Sequence, residues 1–157
     1  MSRLILTVLL LAVVLPAQAA AQGRLVTFER DELAIQSDAT GERHDFEVEL
    51  AVTFAQQAQG LMYRRSLPRD AGMLFLYKTA GPASMWMRNT LIPLDMLFIE
   101  RDGRIAHIAQ RTVPLSLTSI ESPVPVVAVL ELNAGTTHRL GIRVGDRVLH
   151  PAFDPPS

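Results

Sequence analysis

From His44 to Val52 the chain alternates: Phe46, Val48, Leu50 and Val52 are apolar, with Asp45, Glu47, Glu49 and Ala51 between them. Successive side chains of a strand point to opposite faces, so a period of two predicts a half-buried strand. Arg24–Glu29 and Leu33–Gln36 predict an earlier pair of strands, with Arg30 and Asp31 at the turn between them. Met73–Tyr77, Ala83–Met87 and Leu94–Glu100 predict three more, separated by Gly81-Pro82 and by the Asn89–Pro93 loop. Asp102-Gly103 is a strong hairpin pair and leads into Arg104–Ile108. Val126–Leu132 is apolar and rich in β-branched residues, interrupted only by Glu131, and Gly145-Asp146 precedes a last strand, Arg147–His150.

Helical signals are brief. Thr53 is followed three residues later by Gln56, a capping box that satisfies the first free N–H groups of a helix. Gly60 then stands where a left-handed C-terminal residue costs least. A second short helix or turn spans Thr136–Leu140 and stops at Gly141. The Thr112–Pro125 segment, rich in Pro, Ser and Thr, predicts a long surface loop of the kind that often carries function. The expected fold is therefore mainly β, with one or two short helices and no internal repeat.

Composition adds a compartment. Met1–Ala21 has the form of an export leader: Arg3, an apolar run over Leu4–Leu15 broken only by Thr7, then Pro16 and two overlapping small-x-small sites that allow cleavage after Ala19 or Ala21. The run is shorter than the roughly 20 apolar residues a membrane span needs. Without Arg3 the formal charge moves from −1 to −2, and no basic patch argues for nucleic acid. The chain has no Cys, hence neither a disulfide framework nor a site for a lipid anchor. The sequence thus predicts a leader at 1–21 and a single β-rich domain at 22–157, periplasmic or secreted and free of the membrane once cleaved. About 136 residues suffice for a core of their own.

Gly60-Leu61-Met62-Tyr63-Arg64, Leu67, Gly72-Met73-Leu74-Phe75, Trp86-Met87-Arg88-Asn89-Thr90, Ile92-Pro93-Leu94-Asp95 and Phe98 follow one another in an order and spacing that resembles the domain-of-unknown-function family 192. The likeness continues through Asp102-Gly103, Val129-Leu130-Glu131-Leu132, Ala134-Gly135, Gly141 and Gly145-Asp146, covering roughly Val48–Val148. It implies a small β-barrel or sandwich-like domain with one or two short helices, often behind a signal peptide and with no assigned activity. Two departures are visible: Met85 stands where members more often carry an aromatic residue, and the Thr112–Pro125 loop lacks a Cys that some members have. The second weakens a thiol-based chemistry.

Polar residues inside apolar strands are the candidates for function. Asp95 lies within Leu94–Ile99 and Glu131 within Val126–Leu132, where an unpaired charge would be costly. They could form a paired-carboxylate site for acid and base chemistry or half of a hard-metal site. Alternatively Asp95 accepts backbone N–H groups of the Asn89–Pro93 loop and Glu131 pairs with an Arg such as Arg64. Trp86, Asn89 and Thr90 would suit a small polar ligand such as a sugar, or else Trp86 fills the core and Asn89 caps a turn. Met62, Met73, Met85, Met87 and Met96 are soft donors that could take Cu(I), yet they lie in apolar segments without Met-x-x-Met spacing. His44, His107, His138 and His150 are scattered singly. A triad of Ser66 or Ser84 with His107 and Asp95 lacks the Gly-x-Ser-x-Gly elbow, and no phosphate-cradling glycine loop exists.

No cofactor or metal is expected. The function expected is that of an exported domain binding a small polar ligand through Arg64, Trp86, Asn89, Thr90, Asp95 and Glu131. Two alternatives stand beside it: a hydrolase or isomerase using Asp95 and Glu131, which requires both in one cleft, and a protein-interaction domain, which requires an exposed apolar patch near Thr112–Pro125.

Overall fold

The computed structural model describes residues 26–153. Nine strands and two helices occur among them: β1 (Glu29–Gln36), β2 (Arg43–Ala51), α1 (Phe54–Gln59), β3 (Ala71–Gly81), β4 (Ser84–Met85), β5 (Leu94–Ile99), β6 (Ile105–Ala109), β7 (Ile120–Glu121), β8 (Val126–Asn133), α2 (Thr136–Leu140) and β9 (Arg147–Leu149). Seven strands form one sheet in the order β6-β5-β8-β3-β2-β1-β9. Its two edges come together. Arg104 bridges to Arg147, the amide of Val148 donates to the carbonyl of Gly103 at 2.8 Å, and the amide of Ile105 donates to that of Asp146 at 2.9 Å. The sheet is thereby nearly closed into a barrel, which leaves few edge groups unpaired.

The pleat sorts the apolar residues into two layers. Leu33, Ile35, Phe46, Val48, Leu74, Leu97, Leu130 and Val148, drawn from strands all round the sheet, pack inside the barrel. Met73, Phe75, Leu94, Met96, Phe98 and Val129 face outward from β3, β5 and β8, and are covered by Leu61, Ala83 and Met87. The central strands are therefore buried on both faces and read as apolar runs, whereas β2, near one edge, alternates.

Three local expectations are corrected. The first two strands are a single one, β1, paired with β2 from Glu29↔Leu50 to Gln36↔Arg43. Arg30 and Asp31 carry no turn because this unbroken pairing satisfies their backbone; the hairpin turns further on, between Ser37 and Glu42, with Gly41 at φ 72°. Arg24 and Leu25 of the expected first strand, and the leader, lie outside the described residues. Second, the Thr112–Pro125 segment is not wholly loop. Its Ile120–Glu121 forms β7 and pairs with β4 as a separate two-stranded ribbon. Third, Gly60 ends α1 at φ 48° and ψ −138°, outside the left-handed helical region, while its N–H still reaches the carbonyl of Gln56. The Thr53–Gln56 capping box forms in full.

Candidate functional site

Strands β5 and β8 are neighbours with Asp95 opposite Leu132 and Met96 opposite Glu131. That one-residue offset puts the two carboxyl groups on opposite faces of the sheet. Asp95 points inward and is fully buried at the barrel end closed by α2. Its Oδ1 accepts the amides of Arg111 at 2.9 Å and Gly135 at 3.1 Å; its Oδ2 accepts the amide of Thr137 at 3.0 Å and the Thr137 hydroxyl at 2.7 Å. The donors are thus those of the α2 entrance and the residue after Gln110, not the Asn89–Pro93 loop. Asp95 is a structural clasp, and a site that needs both carboxylates in one cleft does not form.

Glu131 points outward, 4% exposed, between Met73 of β3 and Met96 of β5, both fully buried. No side chain or amide among the described residues donates to its carboxyl, and Arg64 does not reach it. Arg64 instead makes a two-pronged pair with Glu49 and lies 5.8 Å from the Phe28 ring centre. Burial alone pushes the Glu131 carboxyl up to about 8, far above its ordinary range.

What Glu131 faces is a cleft of about 310 Å³ between the sheet, α1 and the ribbon of β4 and β7. Phe54, Gln57 and Gln59 of α1 form one side; Met85, Trp86, Arg88 and Thr90 form the other; Phe75 and Tyr77 continue from β3. Tyr77 donates its hydroxyl to the Met85 sulfur at 3.5 Å, and burial followed by the nearby charge of Glu131 pushes that phenol up to about 12. Trp86 is half exposed at 49%, so it walls the cleft rather than filling the core, and the Arg88 guanidinium lies 5.4 Å from its ring centre.

Thr90 is buried, and its hydroxyl donates to the Arg88 carbonyl. Asn89 sits behind the wall: its amide group donates to the Tyr63 hydroxyl at 3.0 Å and approaches the Met62 sulfur at 3.8 Å. Tyr63, Asn89 and Leu115 all have φ between 55° and 65°, unusual for residues with side chains, and their segments are bonded together. Tyr63 donates its amide to the Asn89 carbonyl, and Leu115 donates its amide to that of Thr90. Backbone of this kind is costly and clusters where geometry serves a site.

A larger hollow of about 720 Å³ lies over β1, β2 and Pro68–Ala71. It is open, and the charged side chains on it include the pair Arg43 and Asp45, bonded to each other at 2.9 Å. Size alone does not make it the stronger candidate, since what marks a ligand site is a polar group left waiting in an apolar wall. Among the described residues no three His, Asp or Glu gather as metal ligands, and no helix is long and apolar enough to cross a membrane.

The model of family 192, described as an uncharacterised ACR, matches residues 35–150. The chain belongs to this family. Its fold is similar to a Sinorhizobium meliloti protein described as a candidate transcription regulator, 49% identical with a TM-score of 0.76, the match covering 78% of this chain and 95% of that one. It is also similar to a Novosphingobium aromaticivorans protein of unknown function, 40% identical with a TM-score of 0.75, covering 88% and 94%. No curated protein matches.

Of the six residues expected to act together, this family 192 domain brings Trp86, Thr90 and Glu131 into one cleft, keeps Asn89 just behind it, and sends Arg64 and Asp95 elsewhere. Sequence reasoning missed Phe54, Tyr77 and Arg88, and weighed Met62 and Met85 only as soft metal donors. The signal for Tyr77 was present: Met73, Phe75 and Tyr77 share one face of β3 at a period of two. Phe54, 87% exposed at the start of α1, carried no such signal.

Proposed function

We propose that this chain is an exported accessory domain that binds a small molecule, with an apolar body and one polar head, in the cleft over Glu131. The observation that carries this reading is a buried carboxyl with no donor among the described residues, opening into a cleft walled by aromatic and thioether side chains. Such a group costs stability, and a group kept against stability is characteristic of a site. The leader-like Met1–Ala21 supports export.

The test is the stability of Glu131→Gln as a function of pH. Glu131 releases its proton near 8 when folded and near its ordinary value of 4.5 when unfolded, so the folded state holds the proton over the interval between. Its contribution is complete below the lower value and declines as pH rises, by at most about 1.4 kcal/mol per pH unit, until the folded group ionises. We expect Gln at this position to flatten the decline and to unfold at a higher temperature than the parent at pH 8. A variant less stable than the parent at every pH would show that Glu131 holds the fold, and would sink the proposal.

A second reading, protein docking, draws on Val113, Leu115 and Leu117, all exposed on the loop that lies against Met87–Thr90. It asks nothing of Glu131, so it gains only if the Gln substitution has no stabilising effect.

A further inference from the structure

The walls of the cleft bear on the chemistry of the ligand's polar head. Four of the nine aromatic side chains in the sequence, Phe54, Phe75, Tyr77 and Trp86, line it. Ring faces carry negative potential and attract cations, the more so where water is excluded. The one carboxyl among them lies at the floor, 96% buried and without a partner among the described residues. Arg88 is the cleft's other charged side chain, and its guanidinium lies 5.4 Å from the ring centre of Trp86.

On the reading that the cleft binds ligands, we propose that it takes an organic cation: an ammonium group on a short apolar body, with Glu131 as counter-ion and the aromatic rings around the head. An anion would meet the Glu131 carboxyl at the floor, with Arg88, drawn to the ring of Trp86, the only cationic side chain on the cleft wall among the described residues. A neutral head would leave the ring faces unused. A volume of about 310 Å³ suits a ligand at the small end of the range for pockets of this kind.

The proposal has a pH signature. The groups facing Glu131 are Tyr77 from β3, which stays neutral, Gln57 from α1, Arg88 from the segment after β4, and the uncharged Met73 and Met96 on either side. Below about 8 the empty cleft holds Glu131 protonated, and a permanent cation must displace that proton. Affinity therefore rises about tenfold per pH unit up to that point and then levels off.

Trp86, the sole Trp of the chain, reports from the cleft wall. The experiment titrates the full domain with benzyltrimethylammonium, benzyl alcohol and phenylacetate at pH 6, 7 and 8, following Trp86 emission, in the parent and in Glu131→Gln. We expect the cation to bind most tightly, to gain about tenfold per pH unit, and to lose both preference and pH dependence in Glu131→Gln. Equal binding of benzyl alcohol without pH dependence, or a preference for phenylacetate, would overturn the cation while leaving the cleft as a binding site. Silence from all three probes in a folded parent would overturn both. Because Gln has nearly the volume of Glu, the variant should fold, and an unfolding temperature at pH 8 no lower than the parent's separates loss of the counter-ion from damage to the wall.

Discussion

Two carboxyl groups in adjacent strands meet opposite conditions because the pleat turns them to opposite sides. Asp95 has a donor for each direction its oxygens face, and Thr137 extends the clasp by accepting from the Gln110 amide at 2.9 Å. Three of the four donors are backbone amides, which a substitution at 95 cannot remove and can only leave bare. Asp95→Ala should therefore cost about 3–5 kcal/mol, read as a lowered urea midpoint with an unchanged slope. A loss under about 1 kcal/mol would mean that water takes over the three amides and that the clasp holds little of the fold. At 131 the sign is expected to reverse, since that carboxyl has nothing to lose in the empty protein. The contrast was only half legible in the sequence. That each carboxyl interrupts an apolar run is plain; which has partners depends on what stands opposite, and on this sheet one residue of register separates the two answers.

At the scale of elements, α1 is six residues long, has no buried residue, and nonetheless forms a wall of the cleft. A helix so short is marginal alone. It is held by its capping box and by Gln57, whose side-chain amide donates to the carbonyls of Ala51 at 3.2 Å and Leu76 at 2.8 Å, tying the helix to β2 and β3. Thr53→Ala should cost about 1 kcal/mol. Amide exchange at Gln57 and Ala58 should quicken about fivefold while that in β5 and β8 stays unchanged. Equal acceleration in the central strands would show instead that α1 unfolds only with the whole molecule. The capping box is read directly from Thr53 and Gln56 because capping is a contact between residues three apart. The role of Gln57 is not, because its acceptors arrive from strands that only tertiary structure brings beside it.

At the scale of the whole molecule, closure of the barrel rests on a close approach. Gly103 has φ 84°, and a Cβ there would stand 2.4 Å from the Val148 carbonyl oxygen. Both the backbone conformation and the space demand Gly. Gly103→Ala should open the seam between β6 and β9 and lower stability by at least about 2 kcal/mol. Faster exchange at Val148 and Ile105 would locate the damage there; protection of both amides as in the parent would show that the seam does not depend on this approach. The hairpin at Asp102-Gly103 was legible as a turn, but the strand that packs against it, β9, lies more than forty residues away.

The sequence by itself determined the strands with a period of two, the capped helix, the hairpin turn and the motif series of family 192, because each rests on preferences of residues a few positions apart. Tertiary structure alone decided that the sheet closes, that β1 runs unbroken, that Arg64 pairs with Glu49, and that Glu131 rather than Asp95 opens into a cleft beside Trp86 and Tyr77. Those outcomes depend on strand pairing and burial between distant segments, where a shift of one residue reverses every side chain and no local preference records which register wins.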